Sequence, residues 1–220
     1  MLSFLRKYHQ SAAEAEGIEA GEAESGSAID FPLTSDVTLA AEATLPTKWG
    51  DFRIYGFVED ESGIEHTAVV HGTVNGSRDC PVRVHSQCHT GDVLGSLRCD
   101  CRDQLEYALT YIASKPVGAV VYLKQEGRGI GLVNKIRAYH LQDLGMDTVD
   151  ANLFLGFPSD AREYGTAARI LELLGIASVR LLTNNPLKVE ALEEYGVEIT
   201  GRIPVVIPSN GHNSHYLETK

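Results

Sequence analysis

Three cysteines, Cys88, Cys99 and Cys101, fall within fourteen residues in the spacing C-x10-C-x-C. In a reducing compartment a tight cysteine cluster is more often a metal site or a catalytic one than a disulfide. Three thiolates suit Zn²⁺. Three protein ligands leave the fourth tetrahedral position to water, as in a working metal site, whereas a structural site closes with four. Water polarised in this way ionises near neutral pH and can attack an electron-poor carbon. Two other readings stay open at this point. The cysteines can be small core residues or a redox pair. Cys80, eight residues upstream, can close the site as a fourth ligand, although Asp79 and Pro81 beside it read as turn residues. His85 and His89 are within sequence reach, but a histidine near a metal also serves by orienting a ligand.

Other chemistry-bearing residues lie further along. Gly127-Arg128-Gly129-Ile130-Gly131 is a glycine-rich turn between a strand-like and a helix-like run, and it is neither a P-loop nor a dinucleotide fingerprint. Thr183-Asn184-Asn185-Pro186 follows a strand and opens a helix with proline in its first turn. Such a start offers free N–H groups to phosphate, and Lys188 adds charge. Pro158-Ser159-Asp160 reads as a helix start, with Asp160 as N-cap and Arg162 in the first turn. Tyr139 shares a helical face with Leu132 and Ile136, which by spacing alone reads as core.

The elements that must position these residues alternate. Val37–Leu39, Ala43–Leu45, Phe52–Phe57, His66–Val70 and Pro81–His85 have strand character. Leu105, Ala108, Leu109 and Ile112 follow helical spacing, and Val117–Leu123 suits a buried strand. Ala167–Leu174 and Val189–Tyr195 read as helices, with strands at Val179–Leu182 and Ile203–Ile207. Strands followed by helix–strand pairs predict an α/β (mixed α+β) domain, a mixed sheet with flanking helices.

The 220 residues carry 19 basic and 30 acidic side chains, a net charge of −11. That balance argues against nucleic acid, whose binding needs a clustered positive surface, and against anionic membranes. No apolar run reaches the ~20 residues of a membrane span. The start, Met1–Lys7, lacks a signal-peptide core, so the expected setting is cytoplasmic. Residues 1–36 are read as a flexible acidic extension, because Ser11–Ala28 is almost wholly Ala, Glu, Gly and Ser. Residues 37–220 are read as one catalytic domain.

Arg83-Val84-His85-Ser86-Gln87-Cys88, Thr90-Gly91-Asp92, Arg98-Cys99-Asp100-Cys101 and Gln104-Leu105 together resemble the zinc segment of GTP cyclohydrolase II. The likeness continues through Gln125–Leu132, Asn134–Tyr139, Asp147–Asn152, Leu155–Phe157, Asp160–Arg162, Leu182–Lys188 and the ending His215–Lys220. It covers roughly residues 40–220. The resemblance implies zinc-dependent hydrolysis of GTP to 2,5-diamino-6-(5-phosphoribosylamino)pyrimidin-4-one, formate and pyrophosphate, the first step of riboflavin biosynthesis. It also implies one Zn²⁺ per subunit, Mg²⁺ with the GTP phosphates, and a homodimer. The companion activity fused to this domain in many relatives needs more chain than the thirty-odd residues before the catalytic part.

By the same resemblance Cys88, Cys99 and Cys101 hold zinc and Tyr139 takes part in opening the imidazole ring. Asp160 is implied as proton acceptor and Arg162 as nucleophile of a covalent guanylyl intermediate. A guanidinium stays protonated to above pH ~12, so steadying phosphate charge is its more conventional task. GTP contacts are implied for Arg83, Val84, His85, Ser86, Gln87, Gln104, Glu126, Gly127, Arg128, Thr148, Thr183 and Lys188, with Glu126 suited to the guanine N1–H edge. The chain departs from the family pattern at Gln87 (glutamate expected), His89 (apolar), Arg102 (glycine) and Ser214 (acidic). None of these removes a zinc ligand, Tyr139, Asp160 or Arg162. Two alternative readings are a paralogue stopping at the formamidopyrimidine and a non-catalytic, zinc-stabilised GTP-binding protein.

Overall fold

Alternating apolar and polar residues make the first half of the chain strand. In the computed structural model, which describes residues 36–158, 160–209 and 211, Val37–Thr47 (β1), Gly50–Glu59 (β2) and Glu65–His71 (β3) form an antiparallel meander. The two short strands expected at 37–39 and 43–45 are one strand, irregular in register between Leu39 and Ala41. The β1–β2 turn is fastened by Thr47, whose hydroxyl donates to Gly50 O and accepts from the N–H groups of Trp49 and Gly50. The acidic N-terminal segment and the His215–Lys220 ending, with Ser214, lie outside the described residues.

Four further strands complete the sheet: Cys80–Ser86 (β4), Gly118–Leu123 (β5), Val179–Leu182 (β6) and Ile199–Ile203 (β7). The order is β1-β2-β3-β5-β4-β6-β7. The β3–β5 pair is antiparallel, whereas β5–β4, β4–β6 and β6–β7 are parallel, so the sheet is mixed, as expected. The buried parallel strands read as apolar runs because both of their faces are covered. One face packs Val82, Val84, Val121 and Phe57 against Ala167, Ile170 and Leu171 of the helix Gly165–Leu173. The other packs Phe52, Val120 and Leu182 against Ala108, Leu109 and Ile112 of the helix Cys101–Ala113. Burying each such large side chain contributes roughly 1.5–3 kcal/mol.

In chain order the helices are α1 (Cys101–Ala113), α2 (Leu132–Asp143), α3 (Thr148–Phe154), α4 (Gly165–Leu173) and α5 (Pro186–Glu194). From β4 the chain crosses to β5 on one side, and from β5 it passes over β4 to β6 on the other. Such a reversal opens a crevice beyond the C-terminal ends of the parallel strands. Ser86, Leu123 and Leu182 end the three strands there, and the loops after them carry most of the chemistry-bearing motifs. Among the described residues no helix is long and apolar enough to cross a membrane.

Three expectations need correction. The last strand is Ile199–Ile203, not 203–207. Pro204 lacks an N–H for the ladder, and Asn184 holds Val205 instead, accepting from its N–H at 2.9 Å and donating to its carbonyl at 2.5 Å. Asp160 starts no helix, since α4 begins at Gly165. Its carboxylate accepts from the Arg162 N–H at 3.1 Å and Nε at 2.8 Å, a local turn that competes with helix. Leu132, Ile136 and Tyr139 do not form a core face, because Ile136 is 53% exposed and Ala138 and Leu141 are the buried residues of α2.

Candidate active site

The crevice holds a cavity of about 670 Å³. At one side are Cys88, Cys99 and Cys101, whose sulfurs all lie within 4.8 Å of one another, with Cys88 and Cys99 3.6 Å apart. Two sulfurs on a tetrahedral zinc at ~2.3 Å stand ~3.8 Å apart, so the donor set fits such an ion. The fit depends on Gly91. A Cβ there would stand 2.9 Å from the Cys99 sulfur and 3.0 Å from that of Cys88. Cys80 is fully buried in the apolar core and takes no part.

Cys88 follows β4, and a single π-helical turn, His89–Val93, follows it. Asp92 fixes this turn from within. Its carboxylate accepts from the Cys88 N–H at 2.9 Å and the Tyr122 hydroxyl at 2.8 Å, and lies 3.2 Å from His85 Nε2. His85 stacks on Tyr122, its direct partner across the β4–β5 pair. Burial lowers the His85 pKa, against the pull of Asp92, so the ring is neutral. His85 thus supports the cysteine turn and does not line the cavity, and Val84 is fully buried beside it.

Among the thiols Cys88 carries the charge. Bonds with Cys101 and Cys99 push its pKa far down, with Lys135 adding to them against burial. Cys99 is pushed up to about 11 by Cys88 and burial, against the bond with Cys101, and Cys101 rises further through Cys88 and Cys99. A thiolate already formed is the natural first ligand for a metal.

Cations also line the cavity. Arg83 and Lys188 are only 7% and 4% exposed, and each is held by a main-chain carbonyl: Arg83 donates to Leu182 O at 2.9 Å, Lys188 to Val84 O at 2.8 Å. Arg83 also donates to Gln104, which donates on to Asp100, and its Nε is buried without a partner. Burying cations is costly, and an anion bound in the cavity offsets that cost. Thr183 and the start of α5 border them, with Asn185 as N-cap accepting from Leu187 N–H at 3.0 Å and Pro186 in the first turn. Arg162 and Arg128 also line the cavity. Against burial, which raises it, Arg162 holds the Asp160 carboxyl below its usual range.

The model of the GTP cyclohydrolase II family matches residues 38–204. The chain belongs to the GTP cyclohydrolase II family. A protein named GTP cyclohydrolase-2 from Picrophilus torridus is 55% identical over 180 residues, 82% of this chain and 93% of that protein. Another from Citrobacter koseri is 55% identical over 82% of this chain and 92% of its own length. A solved two-domain 3,4-dihydroxy-2-butanone 4-phosphate synthase from A. baumannii overlaps 79% of this chain and 42% of its own at 20% identity and a TM-score of 0.48, too distant to bear on function. The chain is therefore an enzyme of the GTP cyclohydrolase type, consistent with riboflavin biosynthesis.

For a GTP cyclohydrolase II the cavity gathers most of the residues expected of it. Arg83, Ser86, Gln87, Gln104, Gly127, Arg128, Thr148, Thr183 and Lys188 line it, as do Tyr139, Asp160, Arg162 and the three cysteines. Glu126 does not. Its carboxylate accepts from Lys135 at 2.7 Å and from the His89 N–H at 2.6 Å. Gly127 and Arg128 both adopt left-handed backbone, at φ 63° and 60°, a tight turn in which both line the cavity while Glu126 beside them does not. Gly129 passes so close to Ala161 that a Cβ would stand 2.6 Å from its carbonyl, and Ala161 N–H donates to Arg128 O at 3.0 Å. The glycine loop and the Asp160–Arg162 segment are thereby joined.

The sequence reading placed Tyr139 in the site but gave no role to its neighbours on one face of α2. Lys135, Ala138 and Gln142 follow i, i+3, i+7 spacing and line the cavity with it, as do Asn152 of α3 and Arg98. Tyr139 Oη lies 3.2 Å from Thr90 Oγ1, and the Arg98 guanidinium sits 4.9 Å from the Tyr139 ring centre. Burial raises the phenol's pKa, although Thr90 and Lys135 pull the other way, so Tyr139 keeps its proton.

Proposed function

We propose that this enzyme converts GTP to 2,5-diamino-6-(5-phosphoribosylamino)pyrimidin-4-one, releasing formate and pyrophosphate. The observation that carries the reading is a single cavity lined both by three clustered cysteine sulfurs and by two buried cations, Arg83 and Lys188. A nucleoside triphosphate offers a base to the first and phosphates to the second. The cavity's ~670 Å³ falls within the ordinary range for small-molecule sites.

Cys88, Cys99 and Cys101 would hold Zn²⁺, which when bound supplies a Lewis acid that polarises water for attack on purine C8. Arg83, Lys188 and the first turn of α5 receive the phosphates, which bring Mg²⁺ with them. Arg162, oriented by Asp160, steadies charge at the α-phosphorus, a task its permanent charge suits better than nucleophilic attack. Tyr139, protonated and held near Thr90, donates a proton as the imidazole ring opens. The reading includes a cytoplasmic setting, in keeping with four free cysteines. It also includes a homodimer, in keeping with the exposed Val93, Leu94, Leu97, Val133 and Ile136.

One incubation with GTP, Zn²⁺ and Mg²⁺, quantifying formate and pyrophosphate together, tests the reading. Equal amounts are expected. Pyrophosphate without formate would move the chain to the truncated reaction. Neither product, with zinc bound, would make it a binding protein.

A further inference from the structure

The motif Asn134-Lys135-Ile136-Arg137 entered with the family likeness, yet nothing above gives Lys135 a task. Its side chain is 12% exposed and its Nζ stands 3.0 Å from Cys88 Sγ and 2.7 Å from Glu126 Oε1. Glu126 is itself anchored, since its other oxygen accepts from the His89 N–H, so the ammonium is held at the sulfur from two sides. The Gly91 N–H is a second, weaker donor to the same sulfur at 3.4 Å.

Charge makes this contact consequential. Three thiolates around a dipositive ion leave a net charge of −1. That excess weakens the ion as a Lewis acid and opposes the approach of an anionic substrate. Hydrogen bonds to a ligating sulfur draw electron density from it, one of the levers by which surrounding groups tune a metal. A cation is the strongest such donor. A plain structural ion pair between Lys135 and Glu126 would not need the ammonium at the sulfur, and two desolvated charges are a poor source of stability.

We propose that Lys135 is a positioning residue that neutralises the excess charge of the Cys88 thiolate and so sets the Lewis acidity of the metal held by the three cysteines. The inference rests on the metal reading given under Proposed function.

The test uses the full chain loaded with Co²⁺ in place of Zn²⁺, whose thiolate-to-cobalt charge-transfer band reports electron density on sulfur. Lys135→Met should bind one Co²⁺ per chain with this band moved to longer wavelength. In the zinc form it should release formate with kcat at least about tenfold lower and little change in KM for GTP. Lys135→Arg should restore the band position and most of kcat, and Lys135→Gln, a donor without charge, should fall between. A band unmoved in Lys135→Met overturns the proposal. So does loss of cobalt from all three variants, which would make Lys135 a prop for the site. A parent protein that takes up no cobalt sinks the metal reading itself, a failure distinguishable from the others because it needs no variant.

Discussion

At the scale of single residues the site is built on close approach. Gly91 has no side chain because two sulfurs occupy the space a Cβ would need. Gly91→Ala should therefore lower zinc affinity at least about tenfold in competition with a chromophoric chelator, while the chain stays folded. Cys80→Ala is the contrasting variant. It should leave zinc affinity untouched and cost on the order of 1 kcal/mol in urea unfolding, being a core residue only. Equal zinc affinity in parent and Gly91→Ala would mean the cluster does not take metal in this arrangement. The three cysteines were legible in the sequence because ligand spacing is local. Asp92 and Lys135 were not, because an aspartate near the end of a short turn and a lysine on a helix carry no spacing signal until the fold sets them beside Cys88.

At the scale of elements, apolar patterning located β2 to β6, α1, α4 and α5 well, since the strands bury one or both faces and the helices pack apolar side chains against the sheet. It failed where side chains replaced the ladder or the helix, as Asn184 does for Val205 and Asp160 for Arg162. It also missed α3, seven residues long, whose first turn is fastened by Asp147 accepting from the Asp150 N–H at 2.8 Å. Asp147→Ala should cost about 1 kcal/mol of local stability. Faster hydrogen exchange at Ala151–Leu155 and a raised KM for GTP are the expected readouts, because Thr148 and Asn152 ride on this helix. Unchanged exchange would show that packing, not the cap, holds α3.

At the scale of the whole molecule, the strand order could not be read from the sequence, because periodicity says which face a strand buries and not which neighbour it takes. The sheet also buries two imidazoles. His66 is nearly enclosed, with Glu59 3.1 Å from Nε2 and the Lys124 N–H donating to Nδ1 at 3.0 Å. Burial lowers the pKa of both His66 and His85 from the ordinary imidazole value of about 6.5, although Glu59 and Asp92 oppose it. Above pH 6.5 both rings are neutral, folded or unfolded, and the native state keeps its full stability. Below it the unfolded chain takes up protons that the buried rings refuse, so stability falls as pH drops through the depressed folded values. Chemical unfolding between pH 7.5 and 5 should show this decline, and His66→Gln should make it shallower. A decline of equal steepness in that variant would place its origin elsewhere.

The helices α2 and α3 share a core of only Ala138, Leu141 and Ala151, with Met146 and Leu155 packed against it. Polar bonds tie them to the loops beyond the strand ends: Tyr139 to Thr90, Lys135 to Cys88 and Glu126, and the Arg98–Asp143 pair. Their place is therefore kept by the reacting groups rather than by oil. These two walls of the cavity are therefore the part of the fold whose local opening costs least, because so few buried apolar contacts must be broken to lift them.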